Sequence, residues 1–228
     1  MDNDVGDDRY QGGGSASRAQ TDAPPVRLLI ASTNPHKVDE FRALLAGLPF
    51  ELVGLSDVEP VGEVEETGET FAENAVLKAV EYARATGLLA LADDSGLEID
   101  ALGGEPGIYS ARWAGLQVTY PERFRIILDR LASVPESRCT ARYRCAIAVA
   151  GPGDMGLRGV VEGTLEGEIA QEPRGSGGFG YDPIFYVPEL GRTVGELSAG
   201  EKHRISHRAR AAAAARDLLI RLSQPTQR

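Results

Sequence analysis

Two adjacent carboxylates, Asp93 and Asp94, end the apolar run Leu89-Ala90-Leu91-Ala92 and are followed by Ser95 and Gly96. Two acids side by side resist joint ionisation unless a cation or hydrogen-bond donors compensate. Neighbouring side chains of a straight strand point to opposite faces, so for both acids to serve one site a turn is expected at Ser95-Gly96. Partners for such acids stand elsewhere in the chain. Only three of the 24 basic residues are lysine, Lys37, Lys78 and Lys202, and the rest are arginine. In that setting the lysines mark positions where a compact ammonium is wanted. Glu63, Glu65, Glu66 and Glu69 precede a helix with Asn74 and Lys78 four apart, hence on one face. A loop of carboxylates beside an ammonium suits a cation and a phosphate held together. Phe179, Gly180, Tyr181 and Asp182 lie in a glycine-rich loop, where backbone approaches closely and rings are free to stack on a base. Lys202, His207 and Arg208 complete the set. His203 and His207 have the i, i+4 spacing of zinc ligands, but no Glu follows the first and no Cys cluster supports a metal there.

The elements that must position these groups are legible in order. Val26 to Ala31 reads as a buried strand, running through Ser32-Thr33-Asn34-Pro35-His36-Lys37 into a helix with Val38, Phe41, Leu44 and Leu45 on one side. Asn34 is its expected cap and Pro35 suits its first turn. Free N–H groups at such a helix start make a ready anion site, and Lys37 adds charge there. The Walker glycine pattern is absent. A strand around Glu51 to Leu55 is followed by a helix from Thr70 to Ala85, with Thr70 and Glu73 in capping-box spacing. Thr119 with Glu122 and Ser198 with Glu201 repeat that signature. Strands are expected over Cys139 to Val149, Gly159 to Ile169 and Ile184 to Val187. Beyond Ser198 the chain reads as helix through Lys202, His207 and Arg208 into an alanine run, closing over a ligand.

Residues 1–25, with early aspartates, a Gly-Gly-Gly-Ser run and Pro24-Pro25, read as a disordered tail. One domain is expected over 26–222 and a short tail over 223–228. The net charge of −10 argues against a broad nucleic-acid surface. No apolar run approaches the roughly 18 residues of a membrane span. Cys139 and Cys145 sit six apart in one expected strand, too far to bridge at a rise of about 3.3 Å per residue. Reduced core thiols and a cytoplasmic location follow as expectations.

Taken together, these stretches resemble the inosine/xanthosine triphosphate pyrophosphatase family. The matches are Ser32 to Lys37, Glu65-Glu66-Thr67-Gly68, Phe71-Ala72-Glu73-Asn74-Ala75 with Lys78, and Ala92-Asp93-Asp94-Ser95-Gly96-Leu97. Further matches are Pro106-Gly107-Ile108-Tyr109-Ser110-Ala111-Arg112, Gly177 to Phe185, and Ser206-His207-Arg208. They run in family order from about Val26 to Leu222, and all three lysines fall on motif positions. The family's first turn more often has glycine than Ser32-Thr33 and Pro35-His36 allow, a departure that bears on loop geometry. The resemblance implies an elongated α/β fold, a central mixed sheet flanked by helices with a substrate cleft between two lobes, and a homodimer. It implies Mg²⁺-dependent hydrolysis of ITP, dITP or XTP to the monophosphate and pyrophosphate. By position, Glu65 and Asp94 would be the metal-linked acids, with Asp94 the proton acceptor. Ser95 and the turn formed by Ser32, Thr33, Asn34, Pro35, His36 and Lys37 would hold the triphosphate. Phe179, Gly180, Tyr181, Asp182, Lys202, His207 and Arg208 would receive base and sugar, with Asn74, Lys78 and Asp93 in support. A septum-formation (Maf-like) pyrophosphatase would share the chemistry, but the Phe-Gly-Tyr-Asp and Ser-His-Arg matches weigh against it. Asp94-Ser95-Gly96 also fits the aspartic-protease pattern, but no second copy of it is present. A nucleotide sensor without turnover would not need Asp94, Glu65 and Lys78 intact.

Overall fold

A computed structural model describes residues 25–223. The tail assignments fall mainly on 1–24 and 224–228, outside the described residues.

The chain opens with β1 (Val26–Ile30), α1 (Pro35–Leu44), β2 (Phe50–Gly54), α2 (Phe71–Thr86) and β3 (Leu89–Ile99). α3 (Tyr120–Leu131), β4 (Thr140–Ala150) and β5 (Leu157–Ile169) follow. The last part holds β6 (Phe185–Val187), β7 (Arg192–Thr193), α4 (Ala199–Ile205) and α5 (His207–Ser223). All seven strands form one sheet in the order β2-β1-β3-β4-β5-β6-β7. β1 pairs in parallel with β2 and β3, and the remaining pairs are antiparallel, so the sheet is mixed as expected. Parallel neighbours need a crossover, which α1 and α2 provide.

Apolar residues divide between the faces as strand alternation requires. Leu28, Ile30, Leu91 and Ile147 pack with Phe41 of α1 and Ala211, Ala215 and Leu219 of α5. Leu29, Ala90, Ala92 and Ala148 pack against Ala75, Ala79 and Ala83 of α2. A third cluster, with Leu97, Ile99, Tyr143 and Leu165, takes in Phe124 and Ile127 of α3 and Phe185 of β6, and forms the second lobe.

The site follows from a difference in strand length. β1 stops at Ile30, opposite Leu91, whereas β3 continues to Ile99. Asp93, Asp94 and Ser95 therefore lie past the carboxyl end of β1, with a strand neighbour only in β4. The carboxyl ends of parallel strands are where open α/β sheets bind ligands.

The turn expected at Ser95-Gly96 is not there. β3 stays in register with β4 from Ala90 to Ile99, so Asp93 and Asp94 address opposite faces. Gly96 serves close packing instead of a bend. A Cβ on it would lie 2.4 Å from Ser110 Oγ and 2.5 Å from the Gly107 carbonyl oxygen. Ser110 Oγ accepts from Leu97 N at 2.9 Å and donates to the Gly107 carbonyl at 2.7 Å, fixing the 107–110 segment on the strand.

Two helix readings also change. Thr70 Oγ1 accepts from Glu73 N, but the Glu73 carboxylate takes Glu69 N at 2.7 Å instead of closing the capping box. Beyond Ser198 there are two helices: Ser206 leaves helical geometry (ψ 154°) and its hydroxyl accepts from Ala209 N to start α5. The boxes at Thr119–Glu122 and Ser198–Glu201 form as expected.

Candidate active site

On the α2 face, Asp94 is buried and its Oδ2 accepts from Asn74 Nδ2 at 3.1 Å. Lys78 Nζ lies 3.5 Å from Asp94 Oδ1 and 2.6 Å from Glu66 Oε1. Glu66 is held from its other side by Arg112 Nη1 at 2.8 Å. Asn74 also accepts from Gly68 N at 2.8 Å, tying the acidic loop to the acid-bearing strand β3. The i, i+4 spacing of Asn74 and Lys78 thus presents both groups to Asp94. Burial pushes the Asp94 carboxyl up, Lys78 and Lys37 oppose it, and the nearby Glu66 charge adds to the rise. Burial acts on Glu66 in the same sense, but Lys78 and Arg112 outweigh it and hold its carboxyl below the ordinary range. Burial works against charge on Lys78, yet Asp94, Asp93 and Glu66 keep its ammonium protonated. Asp94 is therefore held above the ordinary aspartate value, with an ammonium at 3.5 Å.

On the opposite face, Asp93 meets Lys37 Nζ at 3.0 Å and Arg208 Nη2 at 3.2 Å through one oxygen, Oδ2. Burial is the largest influence on Asp93, but Lys37, Arg208 and Lys78 together hold its carboxyl well below the usual range. Its second oxygen, Oδ1, is buried without a hydrogen-bond partner. Lys37 is placed by the start of α1, where Asn34 Oδ1 accepts from His36 N at 3.0 Å and Lys37 N at 3.4 Å, and Pro35 opens the helix. Ser32 Oγ accepts from Asn34 N at 3.2 Å, and Thr33 is exposed in the same turn.

Glu40, one helical turn beyond Lys37, bridges Lys202 Nζ at 2.7 Å and Arg208 Nη1 at 2.6 Å. Lys202 also meets Asp182 Oδ2 at 2.8 Å, and Tyr143 donates to Asp182 Oδ1 at 3.1 Å. Asp182 Oδ2 further accepts from Phe179 N at 2.9 Å. A Cβ at Gly178 (φ +68°) would fall 2.0 Å from that oxygen, so only glycine lets the loop close on Asp182. The Phe179 ring is stacked on His36, with centroids 5.4 Å apart and planes 13° apart. Lys202 Nζ lies 4.5 Å, and Arg208 Cζ 5.6 Å, from the Phe179 centroid. His207 stacks on Tyr143 at 4.6 Å. Burial, then Arg208 and Lys202, drive its pKa well below the ordinary value, so the ring is neutral at pH 7. Tyr181 donates to the Ser110 carbonyl at 2.9 Å and joins the two walls of the cleft.

Asn34, Lys37, Asp94, Ser95, Phe179 to Asp182, Lys202, His207 and Arg208 line one cavity, with Ser110, Tyr120 and Tyr143. Ser32, Thr33, Glu65, Lys78 and Asp93 line the adjoining groove, which Lys37 and Asn34 share. Each lysine is paired with a carboxylate at the site. Glu65 is exposed and makes no hydrogen bond or ion pair among the described residues, whereas Glu66 turns inward. Motif position alone does not single out Glu40, although its i+3 spacing from Lys37 places both on one face of α1. It also missed Tyr143, whose strand alternation reads only as core. Arg208 is not remote from the acids, as its distance in sequence implies: it touches Asp93, and its Nη2 donates to Ser95 Oγ at 2.8 Å. No group of three or more His, Cys, Asp or Glu converges on a metal position among the described residues. No helix among them is long and apolar enough to cross a membrane.

The chain is similar to known proteins along most of its length. It is 54% identical over 187 residues to a dITP/XTP pyrophosphatase of Symbiobacterium thermophilum, covering 82% of this chain and 91% of that one. A dITP/XTP pyrophosphatase of Geobacter sulfurreducens is 49% identical, with 85% and 96% covered. The solved structure of a HAM1 protein from Coxiella burnetii superposes with a TM-score of 0.79 at 43% identity, covering 86% of this chain and 99% of that one. Residues 28–218, a span that holds every acid, lysine and aromatic residue of the cleft, match the model of the Ham1 family, and to that family the chain belongs.

Proposed function

We propose that this protein hydrolyses deaminated purine nucleoside triphosphates (ITP, dITP and XTP) to the monophosphate and pyrophosphate. The observation that carries the reading is Asp94, a buried carboxylate on an aromatic-lined cavity with Lys78 Nζ 3.5 Å away, beside a groove lined by Lys37, Lys78 and Glu65. The names of the relatives, dITP/XTP pyrophosphatase, support the substrate class.

The triphosphate would lie in the groove at the start of α1, where Lys37 and Ser32 meet the positive end of the helix dipole; the expected free N–H groups are not there, because Asn34 Oδ1 already takes His36 N and Lys37 N. Asp94 would accept the proton of the attacking water, and Lys78 would keep the surrounding acids balanced in charge. Asn74 holds the Asp94 carboxylate in place. Phe179 would stack on the base. His207 Nδ1 and Arg208 Nε, both buried without hydrogen-bond partners, are the groups left over for a base carrying oxygen at position 6. An adenine presents a donor there and would leave buried groups mismatched.

Mg²⁺ fits the donor set. The ion prefers oxygen and is usually held by one or two carboxylates together with substrate phosphates. Glu65, an exposed carboxylate on the groove without a partner among the described residues, and Asp94 are the residues to hold it. When bound it would offset phosphate charge and lower the pKa of water.

A homodimer in the cytoplasm completes the proposal. Tyr109 (55% exposed) and Leu116 (80% exposed) present apolar area beside the site, and both cysteines are buried and unpaired. The deciding experiment incubates the protein with ITP and Mg²⁺ and separates the products. IMP and pyrophosphate are expected; IDP with orthophosphate would sink the reading.

A further inference from the structure

His36 sits at the start of α1 next to Lys37, which lines both the cavity and the adjoining groove. It belongs to the turn expected to hold phosphate, yet its imidazole lies flat against Phe179, with centroids 5.4 Å apart and planes within 13°. Three groups approach the Phe179 ring, and they differ in how firmly they are held. Lys202 is fixed by Asp182 and Glu40. Arg208 is fixed by Glu40, Asp93 and Ser95. The His36 side chain is exposed, and its ring has no hydrogen-bond or ionic partner among the described residues. The imidazole is therefore the one neighbour that yields when a planar ligand reaches Phe179. Its backbone is not free: Asn34 caps the helix at His36 N and Lys37 N. Any movement is confined to side-chain torsions.

We propose that His36 is a base-contacting residue, and that the purine enters between its imidazole and the Phe179 ring to be held as the middle layer of a three-ring stack. This rests on the reading of the protein as a nucleoside triphosphate pyrophosphatase and refines it at the base. Stacked aromatic layers lie about 3.5 Å apart, so the two rings separate to about 7 Å, the outer end of the range for paired aromatic rings. The assignment moves His36 from the phosphate to the base. It also gives the base a contact on α1, the helix that carries Lys37 and Glu40, so stacking couples the two ends of the cleft through one rigid element.

The test compares wild type, His36→Ala and His36→Phe with ITP as substrate and inorganic tripolyphosphate as a competitor that has no base. One stacking contact is worth about 5- to 150-fold in affinity by alanine substitution. His36→Ala is expected to raise KM for ITP at least fivefold while kcat falls less than threefold, and His36→Phe is expected to restore KM. Inhibition by tripolyphosphate is expected to be the same in all three proteins. If tripolyphosphate weakens in parallel with ITP in His36→Ala, the residue serves the phosphate turn and the clamp is wrong. An unchanged or lowered KM in His36→Ala, or no recovery with Phe, also overturns it. Wild-type protein that fails to turn over ITP removes the underlying function as well; normal wild-type turnover with an unaltered His36→Ala removes the clamp alone.

Discussion

Asp94 owes its chemistry to what it lacks as much as to its partners. Two lysines flank it, yet burial and the Glu66 charge leave its carboxyl above the ordinary value of 3.8. Asp94→Asn keeps the shape and the Asn74 contact but cannot take a proton. Turnover of ITP is expected to fall at least about a hundredfold, the lower end for loss of a general base, with KM changing far less. Near-normal steady-state rates in this variant would move the base elsewhere. The pH dependence follows from the same neighbours. If Asp94 is the proton acceptor, as proposed, it acts deprotonated, and kcat/KM should rise with pH through its raised pKa. Glu66→Gln removes a negative charge that raises that pKa and frees Lys78 to pair with Asp94. The acid limb of the kcat/KM profile should therefore move to lower pH, and a limb that moves upward would contradict this electrostatic picture.

At the scale of elements, α5 sets the far wall of the site, and its first turns rest on a glycine of β5. A Cβ at Gly163 of β5 would lie 2.3 Å from the His207 carbonyl oxygen and 2.4 Å from Ala211 N. Both are backbone atoms, so the helix itself must move. Gly163→Ala is expected to cost about 1–3 kcal/mol, the usual range for overpacking. Thermal denaturation should show a lower Tm, and kcat/KM should fall because Arg208, in the first turn of α5, carries the contacts to Asp93 and Glu40. Unchanged Tm and activity would mean that α5 shifts without consequence. β3 makes the complementary point. By staying straight it places one acid on each face, and Lys37 and Lys78 approach from different helices to meet them.

For the molecule as a whole, the buried charges tie helices to the central sheet and make stability depend on acid. Asp93 links α1, β3 and α5 through Lys37 and Arg208, and breaking one partner of a buried pair costs about 3–5 kcal/mol. Its folded pKa lies below the unfolded value of 3.8. Its contribution is therefore complete above 3.8 and is lost as pH falls toward the folded pKa. The Tm gap between wild type and Asp93→Asn should be widest near neutral pH and narrow below 3.8. A gap that stays constant down to strong acid would show that Asp93 contributes by shape rather than charge.

The sequence alone determined the local structure and the inventory of the site. Helix caps at Asn34, Thr119 and Ser198 and the alternation in β4 depend on residues a few positions apart, and each formed as its spacing requires. The three lysines were marked by their rarity, and each found its carboxylate. What only the tertiary structure decided was the pairing: Glu40 with Lys202 and Arg208, Glu66 with Lys78 and Arg112, and the two faces served by Asp93 and Asp94. The glycine at 96 reads locally as a turn, but its meaning comes from Ser110 and Gly107 pressing on the strand. Arg208 reads as remote from the acids, but its side chain reaches Asp93 across the interior. Caps and periodicity arise from interactions within one or two helical turns. Ion pairs across 12 to 168 positions arise from which faces the packed sheet and helices bring together.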